Sequence, residues 1–162
     1  MRAGTMLLTA SAILFAVVAS HSVEAAKSAP KPKAVATAAQ VIDGRQSAFL
    51  LSGALFGSMK GAVDRGEDVK GQAFAARSLA KWAKALPGMF PAGSGVEPSE
   101  ALPAIWTDRA GFEAKAAAYA AEADKLAALA AANDKAGFAA QWAAVRETCN
   151  ACHTAYRKED KK

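Results

Sequence analysis

Residues 134–158 read DKAGFAAQWAAVRETCNACHTAYRK, and their spacing decides the fold. Phe138, Trp142, Val145, Cys149, Cys152 and Tyr156 fall at alternating steps of three and four, the repeat of one buried face along a helix. The stretch therefore predicts a helix from about Asp134 to Lys158 with both cysteines on its inward side.

Working back towards the N-terminus, the same periodicity recurs three times. From about Asp108 to Ala132, Phe112, Tyr119 and Leu126 repeat every seven residues beside Ala116, Ala123 and Ala130, and Asn133 is a natural stop. From about Asp68 to Ala85, Asp68 is a candidate cap, Phe74, Ser78, Trp82 and Leu86 share a face, and Pro87-Gly88 ends the pattern. From about Thr37 to Val63, Ile42, Phe49, Phe56 and Val63 repeat every seven residues. Gly44, Gly53, Gly57 and Gly61 weaken that last helix intrinsically, so close packing against a neighbouring helix is expected at those small residues. Residues 87–105 carry Pro87, Pro91, Pro98 and Pro103 and read as a long crossing loop. No segment alternates with the period of two that marks a half-buried strand. The expectation is an all-α, antiparallel up-down-up-down four-helix bundle, in which the end of the fourth helix faces the early half of the first.

The flanks have another character. Arg2, an apolar run from Met6 to Ala19 and Val23-Glu24-Ala25 follow the order of a secretory signal, so residues 1–25 are expected to be removed on export to the periplasm. The apolar run is shorter than the ~20 residues that span a bilayer, and no second run follows, so no membrane attachment is expected after cleavage. Residues 26–36, with Pro30 and Pro32, predict an extended linker, residues 37–158 the domain and residues 159–162 a charged tail. Losing residues 1–25 removes one cation, Arg2, and one anion, Glu24, so the net charge of +5 is unchanged. No basic stripe interleaved with aromatics is present, which argues against nucleic-acid binding.

The chemistry lies in Cys149, Asn150, Ala151, Cys152 and His153. Covalent attachment of haem c needs two thiols spaced to meet two vinyl groups and an imidazole beside the second thiol to ligate iron. On a helix, Cys149 and Cys152 are i and i+3, and His153 is i+4 from Cys149, so all three point to one side. Outside the leader, which holds His21, they are the only cysteines and the only histidine. A thiol oxidoreductase would place such a pair where a strand meets a helix, and a closed zinc site would need a fourth ligand. One haem c per chain is thus expected, with His153 as the metal ligand. Trp82, Trp142 and Tyr119 are assigned to core packing by their helical spacing, whereas Trp106 and Tyr156 stay open between packing and contact with the haem.

With this motif near the end of a four-helix pattern, after Arg45-Gln46-Ser47-Ala48-Phe49 and Ala101-Leu102-Pro103-Ala104-Ile105-Trp106, the chain resembles the cytochromes c′ and related class II c-type cytochromes over essentially the whole domain. The resemblance implies a haem between the helices, Phe49 closing the face opposite His153, Arg45 paired with a haem propionate and Arg157 near the proximal face. It also implies small gaseous ligands, nitric oxide above all, and a homodimer. An electron carrier served by a redox protein partner is the alternative function. No enzymatic activity is expected, because peroxidase chemistry needs polar distal groups and no second histidine is available.

The residue opposite His153 separates the two functions, since electron-transfer haems commonly take methionine there. Outside the leader the only methionines are Met59 and Met89. Met59 lies ten residues past Phe49, about 15 Å along a helix. Met89, in the crossing loop, remains an open candidate. A mainly five-coordinate iron is the expectation.

Overall fold

The computed structural model describes residues 35–159; the expected leader, most of the linker and the end of the tail lie outside them. Among the described residues there are five α-helices, α1 (Ala38–Asp64), α2 (Ala73–Ala85), the single turn α3 (Ala104–Thr107), α4 (Arg109–Ala132) and α5 (Lys135–Tyr156). The four long ones form the antiparallel bundle. α1 packs on α2 and α5, and α4 closes the ring by packing on the same two. Among the described residues there is no strand, only an isolated bridge between Ala101 and Arg157.

Side-chain caps start three of the long helices. Thr37 and Gln40 bond reciprocally, with the Gln40 N–H donating to Thr37 Oγ1 at 3.3 Å and the Thr37 N–H donating to Gln40 Oε1 at 2.9 Å. Asp108 and Asp134 accept from the N–H groups of Gly111 and Gly137 and cap α4 and α5. Asn133 ends α4 in the left-handed region, φ 58°. Its side chain then receives the N–H groups of Val69 and Lys70 at 3.1 and 3.2 Å. That bond replaces the expected Asp68 cap: Asp68 makes no capping bond, and the chain runs through a 3₁₀ turn, Val69–Gln72, before α2 begins.

Two further expectations are corrected. Phe74 is 72 % exposed; the inward face of α2 is formed by Ala76, Leu79, Ala80, Ala83 and Leu86. Against the alanine-rich face of α4 (Ala116, Ala120, Ala123, Ala130), small residues bring the helix axes close, and a phenylalanine ring is turned out. Gly44, Gly53 and Gly57 make no close helix contact within the chain, since a Cβ at any of them would meet nothing within 4 Å. Gly44 and Gly57 share the outer surface of α1 with Leu50 and Leu51, 77 % and 67 % exposed.

The crossing loop is pinned at both ends. Trp106 Nε1 donates to the carbonyls of Phe90 and Pro91, and a Cβ at Gly95 would lie 2.8 Å from the Trp106 ring, so this approach requires glycine. Farther on, the Leu102 N–H donates to the Tyr156 carbonyl at 3.0 Å and the Lys158 N–H to the Glu100 carbonyl at 2.8 Å. The loop thereby spans from α1 to the end of α5.

Candidate functional site

Between the helices lies a cavity of about 400 Å³, within the size range of cofactor sites, and its wall brings together Cys149, Cys152, His153, Arg45, Phe49 and Arg157. Both thiols are half-buried and not joined in a disulfide. Burial pushes each thiol pKa up; the Cys152 sulfur adds to the rise at Cys149, whereas the ammonium of Lys115 partly offsets it at Cys152. His153 sits on the solvent side of the same wall, one residue beyond Cys152.

Across the cavity, Phe49 is half-buried on α1. Its ring stands at 90° to Trp82 with centroids 5.2 Å apart, and 6.4 Å from Phe90 of the crossing loop. Arg45, one helical turn before Phe49, is only 2 % exposed. Its Nη1 donates to Ser94 Oγ at 2.8 Å and to the Met89 carbonyl at 3.4 Å, and its Nη2 to the Ser94 carbonyl at 2.7 Å and to Ser99 Oγ. Burial lowers the Arg45 pKa. Arg157 is half-buried at the end of α5, its N–H donating to the His153 carbonyl at 3.1 Å.

Several cavity residues were not among the sequence candidates for a haem site. Trp82 and Tyr119, assigned to packing, also line it, and so does Tyr156, which the sequence left open between packing and contact with the haem. Burial raises the Tyr119 phenol beyond the ordinary range, and the hydrogen bond from Tyr156 to Asp108 Oδ2, 2.7 Å, pushes the Tyr156 phenol up to about 12. Both therefore stay protonated. Trp142 is as expected a packing residue, stacked on Phe56 at 4.4 Å. Lys115 and Arg146 complete the wall. A signal for them exists in the sequence: Lys115 falls between Phe112 and Tyr119 on the apolar face of α4, and Arg146 falls three residues before Cys149.

The wall suits a flat, apolar group that carries carboxylates. Phe49, Phe56, Leu79, Leu86, Phe90 and Ile105 supply apolar surface, while Arg45, Lys115, Arg146 and Arg157 stand against the single carboxylate of Glu100. That set matches a porphyrin with two propionates, and the paired thiols beside an imidazole match its vinyls and its iron. Neither Met59, wholly buried in the core, nor Met89, half-buried in the loop, lines the cavity. Among the described residues no three His, Cys, Asp or Glu side chains gather as a metal site of their own.

Comparisons with known proteins show the family. The family model for cytochrome c′ matches residues 40–157. The chain is 38 % identical over 122 residues to the cytochrome c′ of Alcaligenes xylosoxydans xylosoxydans, covering 71 % of this chain and 91 % of that one. It is 40 % identical over 100 residues to a cytochrome c-556 of Agrobacterium tumefaciens (strain II Chrys), covering 59 % and 80 %. Among solved structures it is similar to the nitric oxide complex of a variant cytochrome c prime from Alcaligenes xylosoxidans, with a TM-score of 0.72, 31 % identity and coverage of 78 % of this chain and all of that one. The cytochrome c′ of Rubrivivax gelatinosus gives a TM-score of 0.69 at 31 % identity, with 75 % and 97 % covered.

Proposed function

The chain belongs to the cytochrome c′ family, whose members carry covalently bound haem c, and from that premise we propose that it is an exported haem protein whose mainly five-coordinate iron takes small gaseous ligands, nitric oxide first among them. Haem held in this cavity would supply an iron able to take a diatomic gas. Cys149 and Cys152 would hold it, each through a thioether formed by addition of its S–H across one vinyl group with nothing lost. His153 would ligate its iron, and Arg45, Lys115, Arg146 and Arg157 would provide the positive wall for the propionates.

One observation carries the reading. The cavity wall around Phe49 offers no methionine and no second histidine. Phenylalanine has no lone pair, so Phe49 excludes water without closing the axial position by ligation. Tyr119 and Tyr156 are held protonated and are poor ligands in that state. The ammonium of Lys115 lies on the Cys152 side, close enough to ease ionisation of that thiol. Phe49, Trp82 and Phe90 supply no acid or base, which speaks against efficient peroxidase turnover. The open cationic rim would let a redox protein reach the haem edge, so electron transfer is compatible with the same site.

The open outer surface of α1, with Gly44, Gly57, Leu50 and Leu51, supports a homodimer, for which light scattering should give twice the mass of one chain. Residues 1–25 support export to the periplasm, and among the described residues no helix is long and apolar enough to cross a membrane. The decisive experiment is spectroscopic. Ferric protein should be mainly high-spin and ferrous protein should take carbon monoxide and nitric oxide. A low-spin ferric spectrum with a sulfur-to-iron charge-transfer band would overturn the reading in favour of a six-coordinate electron carrier. Denaturing mass analysis should show the mature chain plus one haem; the bare chain mass would refute covalent attachment through Cys149 and Cys152.

A further inference from the structure

Among the described residues Arg45 is a buried cation with no anion beside it. Its four hydrogen-bond partners are two seryl hydroxyls and two carbonyls of the crossing loop, and its guanidinium carbon stands 4.4 Å over the Phe90 ring. Burying a charge is costly unless hydrogen bonds replace its water, so the loop segment from Met89 to Ser99 and the guanidinium hold each other in place. The acceptors are fixed in turn: Ser94 Oγ donates to the Pro91 carbonyl at 2.8 Å, and Ser99 Oγ accepts from the Ala101 N–H at 3.1 Å. Four of the five guanidinium N–H groups are engaged in this way, leaving Nε–H. The propionate pairing that the family resemblance implies for Arg45 would have to use that group or release the loop.

The gripped segment contains one wall of the chamber over the haem. Phe90 touches Arg45 on one side and Phe49 on the other, and Trp106 and Phe112, at 6.3 and 5.2 Å, back it. The second wall behind Phe49 is Trp82, built into the regular helix α2. Phe90 sits on irregular backbone, and Arg45 ties that backbone to the helix that carries Phe49. A ligand can displace the Phe49 ring only if one of these walls yields, and the loop is the one whose position is set by side-chain hydrogen bonds.

We propose that Arg45 is the positioning residue of the ligand gate: by gripping Ser94 and Ser99 it fixes Phe90, and through Phe90 the ring of Phe49, so that the grip on the loop sets the rate at which a diatomic gas enters. The proposal rests on the open-face reading above. It assigns to Arg45 a role in access, exerted through the loop, beyond its share of the positive wall of the cavity.

The test uses the matured ferrous holoprotein and the carbon monoxide association rate. Ser94 does not line the cavity, so Ser94→Ala weakens the grip without touching the chamber. Ser94→Ala and Arg45→Lys should each raise the rate by about tenfold, as expected when one charge-assisted hydrogen bond is lost. Both effects should vanish in a Phe49→Ala background, because there is no ring left to hold. The reduction potential should stay unchanged in Ser94→Ala. If Arg45→Lys fails to mature, Ser99→Ala takes its place in the cycle. A rate unmoved by Ser94→Ala overturns the gate alone, as does an effect that persists undiminished in Phe49→Ala. So does a potential shift in Arg45→Lys with no change in rate, which would mark the cation as acting on the haem carboxylates. A ferrous protein that takes no carbon monoxide overturns the open-face reading and the gate with it.

Discussion

Replacing Phe49 with alanine removes the ring proposed to cover the open axial position, and its effect can be sized from two contacts. The ring meets Trp82 edge-on at 5.2 Å and Phe90 in a tilted pair at 6.4 Å. Aromatic pairs in this range contribute about 0.5–1.5 kcal/mol each beyond burial, so moving the ring aside costs about 1–3 kcal/mol. If an entering ligand must meet that cost, Phe49→Ala should speed carbon monoxide association roughly five- to hundredfold, since about 1.4 kcal/mol is a factor of ten. Flash photolysis of the ferrous carbon monoxide adduct measures the rate directly. The companion variant Phe49→Met places a thioether sulfur where the ring was, and the ferric spectrum should move towards low-spin, six-coordinate iron. A Phe49→Ala rate within about twofold of the parent protein would refute the reasoning, because it would mean that the ring does not stand in the path.

Three other outcomes test the structure more broadly. The chain has two tyrosines, and both phenols are raised above their ordinary value of 10, Tyr156 to about 12 through Asp108 and Tyr119 further through burial. A folded pKa above the unfolded one stabilises the protonated fold; this contribution is complete below pH 10 and is lost as pH rises through about 12, so ultraviolet titration should show no phenolate near pH 10 while the fold persists. Phe138 is fully buried and Phe74 is 72 % exposed. Denaturant unfolding should therefore show a loss of about 3–5 kcal/mol for Phe138→Ala and a change within about 0.5 kcal/mol for Phe74→Ser, the reverse order contradicting the register of α2. Replacing both Cys149 and Cys152 with alanine should yield a chain whose denatured mass lacks haem, while either single replacement should retain one thioether.

What could be read along the chain was local. Cys149, Cys152 and His153 share one side of α5 because residues three and four apart on a helix are neighbours whatever surrounds them, and α4 and α5 start at aspartates whose caps involve only the next turn. The helical spacing of apolar residues likewise made the four long helices and their bundle legible, since each must bury one apolar stripe. Other features depended on partners that periodicity does not name. Phe74 matches the apolar pattern of α2 but is turned outwards, the inward face being taken by Ala76, Leu79, Ala80, Ala83 and Leu86. Asp68 is a good cap by type, yet Asn133 reaches Val69 and Lys70 from 64 and 63 positions away and takes the task. The glycines of α1 invite a close helix contact that the rest of the chain does not make. Arg45 shows the limit most clearly: its turn of α1 with Phe49 is evident from the sequence, whereas its bonds to Ser94 and Ser99, 49 and 54 residues away, exist only because the crossing loop folds back over α1. Helix spacing is encoded by neighbours in the chain, but the satisfaction of a buried charge is decided by whichever polar groups the closed fold brings to it.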